Sequence, residues 1–135
     1  KKGATHLIKW ELRKEQNKGE GKSKAVTLKV VPAQVALVTG VPCTLLRMDS
    51  VGEFIAVGAS DGAVTVFNSS DLSRVSSYMA HDLPVTGMGF ASPQSAKSLG
   101  MKAMITTCSA DRKFCVMKIG GYSVLFKGLI LFILA

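Results

Sequence analysis

The chain has 135 residues, enough for one small domain, and its 47% hydrophobic and 19% charged content exclude a disordered tail. Three cysteines, Cys43, Cys108 and Cys115, include no CxxC pair, so they offer neither a disulfide framework nor a zinc site and favour a reducing compartment. The net charge of +8 is uneven, with eight basic and three acidic side chains in residues 1–24.

Residues 5–12, Thr-His-Leu-Ile-Lys-Trp-Glu-Leu, place Ile8, Trp10 and Leu12 on one side and read as a strand. Residues 13–24 are charged and contain two glycines, which predicts a loop. Glu11, Glu15 and Glu20 dilute its basic charge, and Trp10 is its one nearby aromatic. A solvated loop therefore fits better than a nucleic-acid surface. Gly19-Glu-Gly-Lys-Ser23 ends like a phosphate-binding loop, but Gln16 stands where the first glycine belongs. Strand formers follow it where that motif needs a helix, so no nucleotide or other cofactor is expected.

A second strand is predicted over 25–31, stopped by Pro32, with a short apolar piece at 33–38. Regular strands follow at 43–48, 54–59, 63–67 and 74–79, then at 85–91, 104–109 and 113–119. Val51-Gly52, Asp61-Gly62 and Asn68-Ser-Ser-Asp71 punctuate them. Asp61-Gly62 is a strong hairpin signal, because glycine tolerates positive φ and the aspartate oxygen bonds nearby amides. No amphipathic helix is apparent before the C-terminus.

The regularity is a repeat. Phe54-Ile-Ala-Val-Gly-Ala-Ser-Asp-Gly-Ala-Val-Thr-Val-Phe67 aligns without gaps on Met104-Ile-Thr-Thr-Cys-Ser-Ala-Asp-Arg-Lys-Phe-Cys-Val-Met117, at an offset of 50. Pro42–Met48 aligns on Pro84–Phe90 at an offset of 42, so the difference falls in the polar segment 92–102, read as an insertion. A 42-residue unit of four short strands has the spacing of a β-propeller blade. The fold expected is all-β, about two blades of a propeller. Its parts are a partial blade and charged loop over 1–40, a blade over 41–83, and a final blade over 84–121.

The histidines form no catalytic or metal constellation. His81 falls beside Asp111 in repeat terms, which suggests a structural tie rather than a general base acting on Ser109. No small-molecule substrate is expected. Asn68-Ser69-Ser70 has the glycosylation pattern and lies in a turn. The methionines mostly occupy strand positions and read as core.

The chain starts with Lys-Lys and ends within its most hydrophobic run, residues 122–135, so it reads as a piece of something longer. That run is shorter than the about 20 residues that span a bilayer. Two readings compete for it: a closing strand, or the first part of a transmembrane helix. Leu129–Leu134 does not alternate, and Lys118 and Lys127 suit a cytosolic flank, which favours the helix.

The repeats resemble WD repeats. His81, Thr107 and Asp111 match that family's hydrogen-bonded His, Ser/Thr and Asp, while Phe67 and Met117 replace its signature Trp and Val57 its hydroxyl residue. Phe54–Phe67, Ala80-His-Asp-Leu-Pro-Val-Thr86, Phe90 and Cys108-Ser-Ala-Asp111, followed by a short link and an apolar tail, are similar to the endoplasmic-reticulum exchange factors that start COPII coat assembly. That family includes plant phosphate transporter traffic facilitators without clear exchange activity. The resemblance covers residues 41–135. It implies a cytosol-facing propeller anchored in the endoplasmic-reticulum membrane by the tail, with a Sar-type small GTPase as partner and ER-to-Golgi transport as its role. It also implies that Asn68 stays unmodified. The family's exchange-active loop has no counterpart in residues 1–135. A soluble WD-repeat scaffold is the alternative.

Overall fold

A computed structural model describes residues 3–16, 26–120 and 131–134. They form three antiparallel β-sheets, so the chain is all-β. Strands β1 (Thr5–Gln16) and β2 (Val26–Thr39) make a long hairpin. Strands β3 (Cys43–Met48), β4 (Phe54–Ala59), β5 (Ala63–Asn68) and β6 (Arg74–Met79) form a four-stranded meander. A second meander joins β7 (Val85–Phe90), β8 (Ala103–Ser109), β9 (Lys113–Ile119) and β10 (Leu131–Leu134).

Over the first three strands of each meander the sequence repeat is a structural repeat, including the slip in the first ladder. Phe54 pairs with Asn68 and Gly58 with Val64; fifty residues on, Met104 pairs with Lys118 and Cys108 with Phe114. The β3–β4 ladder slips between Cys43 and Leu45, and the β7–β8 ladder slips between Val85 and Gly87, 42 residues later. Thr44 and Thr86, each inside a slip, donate their hydroxyls to the carbonyls of Gly58 and Cys108, both at 3.3 Å.

The sheets are layered. Phe54, Ala56, Val64 and Val66 of the first meander meet Ile105, Cys115, Met117 and Ile119 of the second in one buried core. The opposite face of the first meander, with Ile55, Val57, Phe67 and Leu72, packs on Val38, Leu7 and Ala36 of the hairpin. This explains why β4 is buried at every position whereas β8 alternates: β4 lies between two layers. Gly58 sits where a Cβ would press on Val85, so its lack of a side chain lets β4 approach β7.

Four expectations need correction. Arg13–Gln16 continue β1 rather than beginning a loop. Pro32 does not stop β2, because it lies opposite Trp10 where the register slips, and a bulge tolerates the missing amide. A short helix, α1 (Pro93–Ser98), lies in the 92–102 insertion: Ser92 caps it by accepting from the Ser95 amide at 3.1 Å, and Pro93 opens it. Leu131–Leu134 are not helical but pair with Lys113–Val116, since the outer edge of β9 offers backbone partners that a four-residue apolar segment needs. Residues 122–130, including the rival outer strand at 123–126, lie outside the described residues. Among the described residues no helix is long and apolar enough to cross a membrane.

Candidate functional site

The polar centre of the molecule is where the link from β6 to β7 meets the β8–β9 turn. His81 is 2% exposed and Thr107 1% exposed. His81 Nδ1 lies 3.2 Å from Asp111 Oδ2, and Nε2 lies 2.9 Å from Thr107 Oγ1. A carboxylate only accepts, so Nδ1 carries a proton; in the neutral ring Nε2 then accepts from the Thr107 hydroxyl.

Asp111 binds the turn as well as the histidine. Its Oδ1 accepts from the Lys113 amide at 2.9 Å, and its Oδ2 accepts from the Asp82 amide at 3.1 Å. Burial opposes ionisation, but these two amides and the His81 ring outweigh it and hold the carboxyl below its ordinary range. Lys113 reaches back to the Asp82 carboxylate, which raises the lysine above its ordinary value. The side chains of His81, Asp82, Thr107, Asp111 and Lys113 thereby fasten the link Ala80–Pro84 to the strands and turn around Asp111.

Thr107, His81 and Asp111 have the connectivity of a nucleophile, base and orienting acid. Here it is sealed. A nucleophile must reach a carbonyl carbon beside an oxyanion site, and the Thr107 oxygen is buried beneath the sheet. Ser109, the half-buried alternative, donates instead to the Pro84 carbonyl at 2.8 Å. The arrangement is a structural tie.

The first meander holds only half of it. Asp61 occupies the matching turn, where its Oδ1 accepts from the Ala63 amide at 3.1 Å, and Gly62 has φ +89° as Arg112 has φ +62°. Thr39 and Val57 stand where His81 and Thr107 would fall, so Asp61 has no histidine to hold. Gly62 does the fastening there: its carbonyl accepts from the Ala80 and His81 amides, both at 3.2 Å. A Cβ at Gly62 would strike the His81 carbonyl.

Sequence reasoning brings His81, Asp82, Thr107, Asp111, Asp61 and Gly62 to these places but misses two contributors. Lys113 gives Asp111 its backbone amide, which no residue type announces, and reaches the Asp82 carboxylate with its ammonium. Thr44 donates to the Val85 carbonyl at 2.6 Å and joins the two meanders at their first strands. Its recurrence as Thr86 at offset 42 was the available signal.

Cys115 is buried, its thiol donates to the Ala80 carbonyl at 3.1 Å, and burial raises its pKa, as it does that of Cys43. Among the described residues no group of three or more His, Cys, Asp or Glu side chains is placed to hold a metal. The Gly19–Ser23 segment lies outside the described residues. A groove of about 410 Å³, lined by Leu7, Ile8, Leu46, Met48, Ile55 and Leu72, runs between the hairpin and β3. No protein-family model matches the chain, and neither does any curated protein.

Proposed function

We propose that the chain is part of a WD-repeat β-propeller of the COPII-initiating exchange-factor family, engaging a Sar-type small GTPase at the cytosolic face of the endoplasmic reticulum. One observation carries the propeller reading: two four-stranded meanders repeat over their first three strands, with the same slip in the first ladder of each, and the second bears the His81–Thr107–Asp111 tie. The family reading rests on the resemblance over residues 41–135. In this reading the sheets present a rigid surface to the GTPase and supply no catalytic group or cofactor.

The apolar run 122–135 would hold the protein at the membrane. Its last residues then have two exclusive partners: β9, with which Leu131–Leu134 pair, or hydrocarbon, where a single segment satisfies its backbone only as a helix. The pairing with β9 favours a second reading, a soluble WD-repeat scaffold with the run kept in the sheet.

Mixing the chain with a Sar-type GTPase loaded with fluorescent GDP tests the proposal. A co-eluting complex without faster GDP release is the expected result, because the family's active loop has no counterpart here. Faster release would overturn that assignment, and no complex would leave the scaffold.

A further inference from the structure

The β1–β2 hairpin outreaches the sheet beneath it. Its base is fixed by Leu7, Ala36 and Val38 in the core and by Lys9, whose ammonium donates to the Ser70 carbonyl at 2.7 Å. Past that point every residue from Trp10 to Glu15 and from Val26 to Val30 is exposed. At about 3.4 Å per residue the free part of β1 projects on the order of 20 Å.

Register sorts the side chains of this arm. Ile8 opposite Val35, Trp10 opposite Pro32, Leu12 opposite Val30 and Lys14 opposite Leu28 share one face. Trp10 is 56% exposed, Leu12 70% and Leu28 58%, an uncovered apolar stripe wider than solitary surface residues explain. Both described acidic residues of the arm, Glu11 and Glu15, fall on the other face, where they pair with Arg13 at 3.4 Å and Lys29 at 3.5 Å. The apolar face thus has no negative side chain and one cation, Lys14. In the sequence, the connecting residues 17–25 add three lysines against one glutamate.

We infer that this face lies on an anionic phospholipid surface. Trp10, Leu12 and Leu28 enter the boundary between headgroups and acyl chains, and Lys14 meets lipid phosphate. The ion-paired face stays in water, and the outer backbone edges remain at headgroup depth, where water satisfies them. Another β-sheet would cover the aliphatic side chains but leave the one-signed charge unanswered. A nucleic-acid duplex would need several phosphate-contacting cations and a single strand several stacking aromatics, whereas the described face has Lys14 and Trp10 alone. The inference uses no residue of the C-terminal run.

Trp10 is the sole tryptophan, so its emission reports on this face directly. With phosphatidylserine–phosphatidylcholine vesicles the emission should shift to the blue and be quenched by brominated acyl chains. Pure phosphatidylcholine should give a much smaller shift, and added salt should weaken binding. L12E/L28E should abolish the shift, and Lys14→Glu should weaken binding about tenfold, since each basic residue near an anionic leaflet contributes on the order of 1 kcal/mol. Unchanged circular dichroism of these variants shows that they fold. Sedimentation with vesicles is not the readout, because the apolar run would respond to it as well. An absent shift on anionic vesicles overturns the inference. So does a blue shift that grows with protein concentration without lipid, which assigns the face to a second copy, or one produced by an oligonucleotide.

Discussion

Asp111 joins more elements than any other side chain of the polar centre, since it receives the amides of Asp82 and Lys113 and the ring of His81. Its position was legible because the turn Asp recurs as Asp61 at offset 50, and the tie was legible because His81 and Thr107 complete a known pattern of residue types. The absence of the same tie from the first meander was legible too, in Val57. What the tie means for stability follows from the sign of the shift. The native carboxyl releases its proton more readily than the unfolded one, so its contribution is complete above the unfolded value of about 4. It is lost as pH falls through the lower native value. Chemical unfolding followed as a function of pH should therefore show an acid limb, and Asp111→Asn should flatten it. The flattening will be partial, because the amide and hydroxyl of Ser73 also hold Asp71 below its ordinary range. An unaltered acid limb in Asp111→Asn would show that the His81 tie does not depend on charge.

At the scale of the element, periodicity served well where a strand has one wet face and poorly where context decides. Strands β3 to β9 were readable as short β-rich runs between turn residues. Strand β2 was read as stopping at Pro32 because a lone strand cannot accommodate proline; the bulge opposite Trp10 that admits it belongs to the pair, not to either sequence. Helix α1 was missed because six residues are too few for a helical period, although Ser92-Pro93 carried its cap. The run 129–134 looked helical because it does not alternate, yet the backbone pairing that places Leu131–Leu134 on β9 depends on a free strand edge and not on alternation. The β4–β5 turn shows how one residue ties elements together. Gly62 adopts a backbone conformation that side chains resist, and its carbonyl anchors the link to β7. Gly62→Ala should cost about 2–4 kcal/mol, from the strained φ together with displacement of the His81 backbone. Urea unfolding gives the value. A loss below about 1 kcal/mol would mean that the link moves aside freely.

At the scale of the molecule, the three sheets differ in how much water each meets, and their stabilities should be ordered accordingly. The first meander has a core on both faces, with Val64, Val66 and Ala56 fully buried. The second is covered on one face, by Ile105, Cys115, Met117 and Ile119. Among the described residues the hairpin is anchored at its base alone, and its distal half has its own ladder and two exposed ion pairs, which contribute little. Backbone amides open locally with free energies that follow buried apolar contact, from near zero at frayed ends to the global value in a core. Native-state hydrogen exchange should therefore rank β4 and β5 slowest, β8 and β9 next, and Trp10–Glu15 with Val26–Val30 fastest. This layering could not be read from the sequence, because the same Val, Ile and Leu content makes the distal hairpin look like core. Only the register shows that Leu12 and Val30 face outward together, with none of the described residues above them. The exchange measurement repeated on phosphatidylserine vesicles then separates two kinds of apolar strand. Protection rising in the distal hairpin, with β4 and β5 unchanged, is the expected result. Protection already high in the hairpin without lipid would mean that its apolar face is covered by protein, and the order of the three layers would have to be revised.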